Sequence, residues 1–228
     1  MLEQAALIVS AYLCGSVSFS YLAGRLRHGI DLRQYGSRKL SGSNVYEQFG
    51  LWAMILVGVL DLAKAALPTW LGLRLGFELP VVMAATVAAM IGHNWSLFLA
   101  LKGGRGIGTV VGSLLVVFPL GSLWLLIWLA LGRLVPRAAA VPALIALITL
   151  PILAAVTEHP SAIVNGCLGV LIVTIVKRLE ANREPIPESR TLRSVLWRRL
   201  LLDRDISEFY AWMHRTPDST GMREAPPL

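Results

Sequence analysis

The stretch IGTVVGSLLVVFPLGSLWLLIWLALG, residues 107–132, decides how this chain is organised. It carries no charge and exceeds the about 20 apolar residues that one membrane-spanning helix needs. Proline and glycine end helices at low cost, and both occur in its central FPLGS segment. We therefore predict a hairpin of two half-helices, broken at Pro119–Gly121, rather than a single crossing. Each arm is shorter than a bilayer, which implies tilt or local thinning of the membrane.

Further apolar runs lie on both sides of this hairpin, at 2–24, 51–73, 81–101, 138–156 and 161–176. The 228-residue chain is 55% hydrophobic and 15% charged, and its mean hydropathy is +0.63. An ordinary soluble domain carries about 25% charged residues. The pattern predicts an all-α integral membrane protein with about seven transmembrane or half-spanning helices.

The charges around the first apolar run predict its orientation. Glu3 precedes the run, and Arg and Lys residues follow it at positions 25, 27, 33, 38 and 39. A signal peptide would carry its positive charge before the apolar run instead. Because positively charged segments stay in the cytoplasm, we expect the N-terminus outside. With a hairpin at 107–132, the C-terminus is then cytoplasmic.

The chain divides by composition into a membrane bundle at 1–180 and a polar tail at 181–228. Within the tail, TLRSVLWRRLLL predicts a helix with an apolar face and flanking arginines: Leu192, Val195, Leu196 and Leu200, with Arg193, Arg198 and Arg199. Such a helix would lie on the inner leaflet, or equally pack on the cytoplasmic loops. The proline-bearing end of the tail is predicted to be disordered.

The formal net charge of +7 raises the question of nucleic acid. However, the Arg and Lys residues lie between apolar runs, which favours anionic membrane lipid as the partner and not nucleic acid. Cys14 and Cys167 both lie inside apolar runs, which argues against a disulfide framework or a zinc site. P-loop, H-E-x-x-H, G-x-S-x-G and C-x-x-C patterns do not occur, so these motifs give no indication of a metal or cofactor.

The first candidate site is the segment DLRQYGSRKLSGSN, residues 31–44, on the predicted inner side. Small residues allow backbone N–H groups to converge on an anion, and serine hydroxyls add donors. The alternative is a polar connector between two helices. The segment is long for a connector in a compact bundle, which favours a binding role.

The second candidate site is KGGRG, residues 102–106, between two apolar runs. Its glycines allow the backbone to approach a ligand closely, and Lys102 and Arg105 add positive charge. The N-terminus of the following helix favours phosphate. The alternative, a positively charged turn that only orients the chain, does not explain the glycines. Since both segments lie on the predicted inner side, we predict one shared site for a small phosphate compound.

Ionisable residues also occur inside the apolar runs. Asp61 and Lys64 are three residues apart, on one face of a predicted helix, and are expected to neutralise each other. His93 and Asn94 lie inside the run at 81–101. Polar side chains in a membrane helix face a partner or a cavity, and both options stay open for His93.

At this point the sequence resembles a known family. The ordered blocks YLCGSVSFSYLAGRL, IDLRQYGSRKLSGSNV, DLAK and GHNWSLFLALKGGRGIGT are similar to those of bacterial acyl-phosphate:glycerol-3-phosphate acyltransferases of the PlsY type, over residues 2–182. The last block is the most specific. The resemblance implies a seven-helix fold in the bacterial inner membrane, with the active site on the cytoplasmic side.

The resemblance also implies an activity. Members transfer a fatty acyl group from acyl phosphate to the 1-hydroxyl of sn-glycerol 3-phosphate, which gives lysophosphatidic acid for phospholipid synthesis. Neither coenzyme A nor a metal is required. Acyl phosphate and glycerol 3-phosphate are therefore the expected substrates, and an enzyme that produces acyl phosphate is an expected partner.

The family motifs assign the site residues. Lys102, His93 and Ser37 are expected to act in catalysis. The residues expected to bind substrate are Gly36, Asn44, Gly103, Gly104, Arg105, Gly106 and Asn182. The sequence departs from the motifs where Lys39, Glu47 and Leu179 replace an Asn, an Arg and a His, and where Arg105 replaces the usual lysine. Lys39, Arg38 and Arg178 are candidates for supplying replacement charge.

Acyl phosphate is already an activated mixed anhydride, so direct attack by the glycerol hydroxyl is expected rather than an acyl-enzyme. The protein then has to position two anions and compensate their charge, with phosphate held by Lys102, Arg105 and the amides of Gly103 and Gly104. The proton passes to glycerol phosphate itself or to His93.

Two other functions stay open at this stage. One is a catalytically silent paralogue that binds glycerol phosphate or a lipid phosphate, a reading that the residues Glu47 and Leu179 favour. The other is a phosphate transporter, which would have polar residues on several helices and an internal repeat.

Overall fold

The computed structural model describes residues 1–135, 138–186, 191–206 and 208–217, which form α-helices and short 3-10 turns without a β-strand. The predicted disordered end lies outside these residues. The α-helices are α1 (Leu2–Ser16), α2 (Phe19–His28), α3 (Gly42–Phe49), α4 (Leu51–Arg74), α5 (Leu79–Asn94), α6 (Ile107–Val117), α7 (Pro119–Gly132), α8 (Ala140–Val156), α9 (Ser161–Glu180), α10 (Leu192–Leu202) and α11 (Phe209–Met213).

Four helical stretches are long and apolar enough to cross a membrane: Leu2–His28, Leu51–Arg74, Leu79–Leu99 and Ser161–Arg183. Helices α6, α7 and α8 are also apolar but shorter. Large apolar side chains such as Trp52, Leu56, Ile152 and Ile172 are more than half exposed on the outer faces of these helices. Helices satisfy their own backbone hydrogen bonds, so such faces are suited to contact with lipid tails.

The chain turns back between α6 and α7, at the FPLGS segment. Phe118 leaves the helical conformation, and Pro119 begins α7 because its missing N–H is not needed at a helix start. The Ser122 hydroxyl donates a 2.9 Å hydrogen bond to the Val111 carbonyl, eleven residues back. A contact over that separation requires the two helices to lie side by side as a hairpin.

Two helix pairs approach so closely that their backbones touch. A Cβ atom at Gly15 would lie 2.0 Å from the Ala89 carbonyl oxygen, and one at Gly92 would lie 2.1 Å from the Tyr12 carbonyl oxygen. These contacts join α1 to α5. Gly112 of α6 makes the same kind of approach to α4, 2.1 Å from the Leu62 carbonyl oxygen. Small residues allow this packing, which is typical of helices in membranes.

Helix α10 packs against α8 and α9, with Val195 and Arg199 buried. Arg199 donates to the backbone carbonyls of Leu179 and Glu184, at 3.4 and 2.6 Å. Of the two placements expected for this helix, packing against the rest of the protein describes the Arg199 side, where the guanidinium group is buried and bonded to backbone carbonyls near the end of α9. Leu192 and Trp197 remain more than half exposed on the other face of α10.

Candidate active site

The segment between α2 and α3 is organised by the side chain of Asn44, which is fully buried in α3. Its amide nitrogen donates to the carbonyls of Tyr35 and Lys39, at 3.1 and 3.0 Å. Its amide oxygen accepts from the Ser37 N–H at 3.3 Å. Asn44 therefore shapes this loop, because all these bonds are to backbone groups.

Gly36 fits the same arrangement for two reasons. Its φ of +55° is favourable for glycine, and a Cβ atom would lie 2.3 Å from the Asn44 amide oxygen. The Ser37 hydroxyl is different. It is buried, and no hydrogen-bond partner for it is found among the residues that the structure describes. A buried hydroxyl without a partner is available for a ligand.

The KGGRG loop uses its amides inside the protein. Gly103 and the Asn182 side chain exchange two hydrogen bonds, of 3.4 Å from the Gly103 N–H and 3.1 Å to the Gly103 carbonyl. The Gly104 N–H donates to the His93 carbonyl at 3.1 Å. These two amides were expected to hold phosphate. In the structure both N–H groups are instead bonded within the protein, to Asn182 and to the His93 carbonyl. The glycines are needed for packing: a Cβ at Gly104 would lie 2.2 Å from both His93 Nε2 and the Leu40 carbonyl oxygen.

His93 lies at the centre of a buried polar group. Its Nδ1 is 3.0 Å from Lys64 Nζ, and Lys64 also pairs with Asp61 at 2.8 Å. Lys64 donates a third bond of 2.6 Å to the Val17 carbonyl, which the break between α1 and α2 leaves free. The His93 ring also hydrogen-bonds to the Leu40 carbonyl. If Nδ1 accepts from the lysine, Nε2 must carry the proton that binds this carbonyl.

A cationic pocket forms where the two loops, the end of α9 and the tail meet. Arg105 Nε donates to both carboxylate oxygens of Asp203, at 2.8 and 3.0 Å, and Lys39 Nζ lies 2.8 Å from the same carboxylate. The ammonium group of Lys39 also hydrogen-bonds to the Asp203 carbonyl and lies 4.8 Å from the ring centre of Trp212. Arg105 is fixed further by a 3.1 Å bond to the Lys177 carbonyl.

Burial and charge act in opposite directions on the two titrating groups of this pocket. Burial lowers the pKa of Lys39 to about 7, although the Asp203 carboxylate opposes the shift. Burial alone would raise the pKa of the Asp203 carboxyl, but Arg105, Lys39 and Arg178 hold this pKa below its usual range. Asp203 is therefore ionised at neutral pH, whereas Lys39 gains or loses its proton near pH 7.

The pocket has about 20 Å³ of free space, which admits about one water molecule. The residues that line it from the membrane bundle include Ser37, Arg38, Lys39, Arg105 and Asn182. The residues beyond Asn182 that line it are Trp212, the arginines Arg199, Arg204 and Arg215, and the carboxylates Glu184, Asp203 and Asp205. Ser37 and Arg105, assigned from two separate motifs, thus share one site.

The other assigned residues lie around this pocket. Six of them do not line the pocket but hold its two loops in place through packing and hydrogen bonds: His93, Asn44, Gly36, Gly103, Gly104 and Gly106. Lys102 is exposed and is not among the residues that line the pocket. Glu47 is also exposed, and Leu179 is partly buried beside α10, so neither departure from the family motifs places a side chain in the pocket.

Sequence reasoning named Lys39 and Arg178 only as candidates for replacement charge, and it did not include the tail in the site. Arg178 donates to the Leu200 and Ala140 carbonyls, at 2.8 and 2.9 Å, and so fastens α10 to the bundle. The three consecutive charged residues at 203–205, directly after the predicted tail helix, were the available signal for the tail. Within the described ranges, no group of three or more His, Cys, Asp or Glu side chains is arranged to hold a metal ion.

Comparison with known sequences places this geometry in context. Residues 5–184 match the sequence model of a family described as glycerol-3-phosphate acyltransferase. Glycerol-3-phosphate acyltransferase 4 of Dehalococcoides mccartyi is 34% identical over 221 residues, which cover 92% of each protein. A glycerol-3-phosphate acyltransferase of Geobacter sulfurreducens is 33% identical over 186 residues, or 80% of this chain and 94% of that protein.

Comparison with solved structures gives the same fold. The crystal structure of PlsY, an integral membrane glycerol 3-phosphate acyltransferase, in its glycerol 3-phosphate form has a TM-score of 0.73. The match covers 93% of this chain and 95% of that chain, at 24% sequence identity. The helical arrangement described above is thus that of an integral membrane protein.

Proposed function

This chain belongs to the glycerol-3-phosphate acyltransferase family, and we propose on that basis that it transfers a fatty acyl group to the 1-hydroxyl of sn-glycerol 3-phosphate. The acyl donor in this proposal is acyl phosphate, and the products are lysophosphatidic acid and phosphate. The observation that carries the proposal is the convergence of Lys39 and Arg105, from two different loops, on one carboxylate.

Two cations held in this way suit a reaction between two phosphate compounds. Charge-assisted hydrogen bonds to an anion are about twice as strong as neutral ones, and they are stronger still where water is excluded. Lys39 and Arg105 are both buried, and backbone contacts hold them in place before a ligand arrives. We assign to them the binding of a substrate phosphate, with the unpartnered Ser37 hydroxyl as an additional donor.

The chemical step needs no covalent intermediate with the protein. The 1-hydroxyl oxygen of glycerol 3-phosphate attacks the acyl carbonyl, the bond from carbonyl carbon to phosphate oxygen breaks, and the phosphate leaves with the bonding electrons. The hydroxyl proton passes to a phosphate oxygen of a substrate. His93 is less suited to accept this proton, because its ring lies between Lys64 and the Leu40 carbonyl.

For His93 we propose a supporting role. Its carbonyl accepts from Gly104 in the KGGRG loop, and its ring bonds to Leu40 in the other loop. Through Lys64 it is connected to Val17, where α1 ends. His93 thus connects the two loops that supply Lys39 and Arg105, to one through its backbone carbonyl and to the other through its ring.

We place the protein in the bacterial inner membrane with its N-terminus outside and its C-terminus in the cytoplasm. About seven helical segments, including the α6–α7 hairpin, would then lie in the bilayer. The support is the cluster of basic residues that follows α1 and α2, since such segments stay in the cytoplasm. The pocket then opens to the cytoplasm, where glycerol 3-phosphate is dissolved, and the acyl chain lies between helices.

Formation of lysophosphatidic acid by the purified protein, given acyl phosphate and glycerol 3-phosphate, tests this function. Replacing Arg105 by Ala should lower kcat/KM by about 100-fold or more, because it removes one of the two cations to which substrate-phosphate binding is assigned. Each variant should first show the thermal unfolding and gel-filtration profile of the unchanged protein.

The variant K102A is the matched comparison. The sequence motif predicts that K102A loses activity, whereas the exposed position of Lys102 predicts a smaller loss than for R105A. If K102A is inactive and R105A is unaffected, the phosphate site is at Lys102 and the pocket described here is not the active site. If the purified protein forms no lysophosphatidic acid but still binds glycerol 3-phosphate, it is a silent paralogue.

A further inference from the structure

Asp203 lies outside the family match, which ends at residue 184, yet its carboxylate occupies the centre of the cationic pocket. It follows α10 directly, with a φ of +52°, and its side chain is only 14% exposed. The carboxylate bridges Lys39 and Arg105, which come from two loops far apart in the sequence. A carboxylate in this position contacts the same groups that the proposed function assigns to a substrate phosphate.

The tail segment that carries Asp203 is fastened to the bundle on both sides of it. On one side, Arg178 donates to the Leu200 carbonyl at 2.8 Å. On the other, the Gly36 N–H donates to the Arg215 carbonyl at 2.9 Å, and the Trp212 ring lies against Lys39. With these contacts made, the pocket holds about one water molecule, so a phosphate compound enters only if Asp203 moves out.

We propose that Asp203 is an internal anion that occupies the substrate-phosphate position, and that it restricts the site to ligands that carry a phosphate monoester group. The inference rests on the proposed function, because it concerns the same pocket. Asp203 is thus a specificity-determining residue of the acyl transfer reaction.

The selection follows from charge. Lys39 and Arg105 face one carboxylate charge, with Arg178 close enough to affect Asp203 as well. A phosphate monoester brings about 1.5 to 2 negative charges and three acceptor oxygens near pH 7, which neutralise the cations better than one carboxylate does. A free carboxylate or a phosphodiester offers no more charge than Asp203. It must also compete with a tethered group, whose effective concentration is on the order of millimolar.

Arg204 supports the same conclusion. It follows Asp203, lines the pocket and is 9% exposed. Its Nε is buried and has no hydrogen-bond partner among the residues that the structure describes. A ligand with more acceptor oxygens than a carboxylate could accept a hydrogen bond from Arg204 Nε, which the Asp203 carboxylate does not do.

The substitution D203N tests the inference, because it keeps the shape of the side chain and removes its charge. Calorimetry on the detergent-solubilised protein should show inorganic phosphate binding about tenfold more tightly to D203N, and the KM for glycerol 3-phosphate should fall. Acetate, which should not inhibit the unchanged protein, should inhibit D203N. The control E208Q makes the same change at an exposed position of the same tail and should behave as the unchanged protein.

Two results would overturn the inference and leave the proposed function standing. One is normal turnover by the unchanged protein with weaker phosphate binding or a higher KM in D203N, since Asp203 would then hold Lys39 and Arg105 in place. The other is equal discrimination against acetate in both proteins. If the unchanged protein neither binds phosphate nor forms lysophosphatidic acid, the proposed function fails, and the inference fails with it.

A second measurement uses the unchanged protein and does not depend on the folding of D203N. Displacement of Asp203 should free the tail, so glycerol 3-phosphate should accelerate tryptic cleavage after Arg204 and Arg215 several-fold. Acetate at the same ionic strength should not. Unchanged or slower cleavage with glycerol 3-phosphate contradicts the displacement of Asp203.

Discussion

At the scale of single residues, Lys39 shows what the sequence predicts and what it does not. The glycine- and serine-rich segment around it and the basic residues of KGGRG indicate a phosphate site, and Ser37 and Arg105 do line one pocket. Lys39 stood out only as a replacement for an asparagine. Its main partner, Asp203, is 164 residues away in the sequence, and no local pattern connects two such positions.

The pKa of Lys39 leads to a prediction about pH dependence. Burial lowers this pKa to about 7, with Asp203 opposing the shift and Arg105 and Arg178 reinforcing it. Lys39 therefore carries its charge below about pH 7 and loses it as the pH rises. Because the charge helps to bind phosphate, kcat/KM for glycerol 3-phosphate should fall above pH 7, by up to about tenfold per pH unit.

The substitution K39R is the control for this prediction, because arginine stays charged at all these pH values. Its pH profile should lack the fall above pH 7. The substrate does not cause the fall, since the second pKa of a phosphate monoester is about 6 and its charge is nearly complete at pH 7. An identical fall in K39R would show that another group titrates.

At the scale of secondary-structure elements, the apolar runs predict the helices well. A segment in a bilayer has to satisfy its own backbone hydrogen bonds, and a helix does so within itself. The break at FPLGS is an example, since proline and glycine act locally. The KGGRG loop is the counterexample. Glycines in a loop indicate close approach, but they do not say to what, and here His93 and Leu40 take the place expected for a ligand.

Two glycines of α6 make the contact between α4 and α6 testable. A Cβ at Gly112 would lie 2.1 Å from the Leu62 carbonyl oxygen, so G112A must push the helices apart. Such overpacking costs about 1–3 kcal/mol, and the melting temperature in detergent should fall by several degrees.

The matched control is G108A, about one helical turn earlier on the same helix. A Cβ at Gly108 has its nearest neighbour, Asp61 Cβ, at 3.8 Å, which is an ordinary contact. Alanine also stabilises a helix relative to glycine by up to about 1 kcal/mol. G108A should therefore melt no lower than the unchanged protein, and equal melting of the two variants would mean that α4 and α6 are not in backbone contact.

At the scale of the whole molecule, composition predicts a helical membrane protein, but the place of the tail could not be predicted. The sequence divides at about residue 180, where apolar runs end. The structure brings the two parts together, because buried arginines such as Arg178 and Arg199 bond to backbone carbonyls across the division. Arginines in a polar tail look solvent-exposed until these partners are known.

The proposed orientation can be tested by cysteine labelling in intact cells. In a chain with Cys14 and Cys167 replaced by alanine, a membrane-impermeant reagent should label Glu3→Cys from outside. It should label Thr191→Cys only after the membrane is permeabilised. Both positions are exposed, so access from the wrong side in either variant would reverse the proposed topology.

The contact between α1 and α5 determines which part of the molecule is able to move. Their backbones touch at Gly15 and Gly92, and Ser96 donates a further 2.6 Å bond to the Ser16 carbonyl. These two helices form a fixed wall that cannot slide or rotate without a clash. In the proposed function, a polar reactant then gains room when the tail moves, because Asp203 of the tail lies in the pocket. The rigid helix pair keeps its place while a surface segment adjusts.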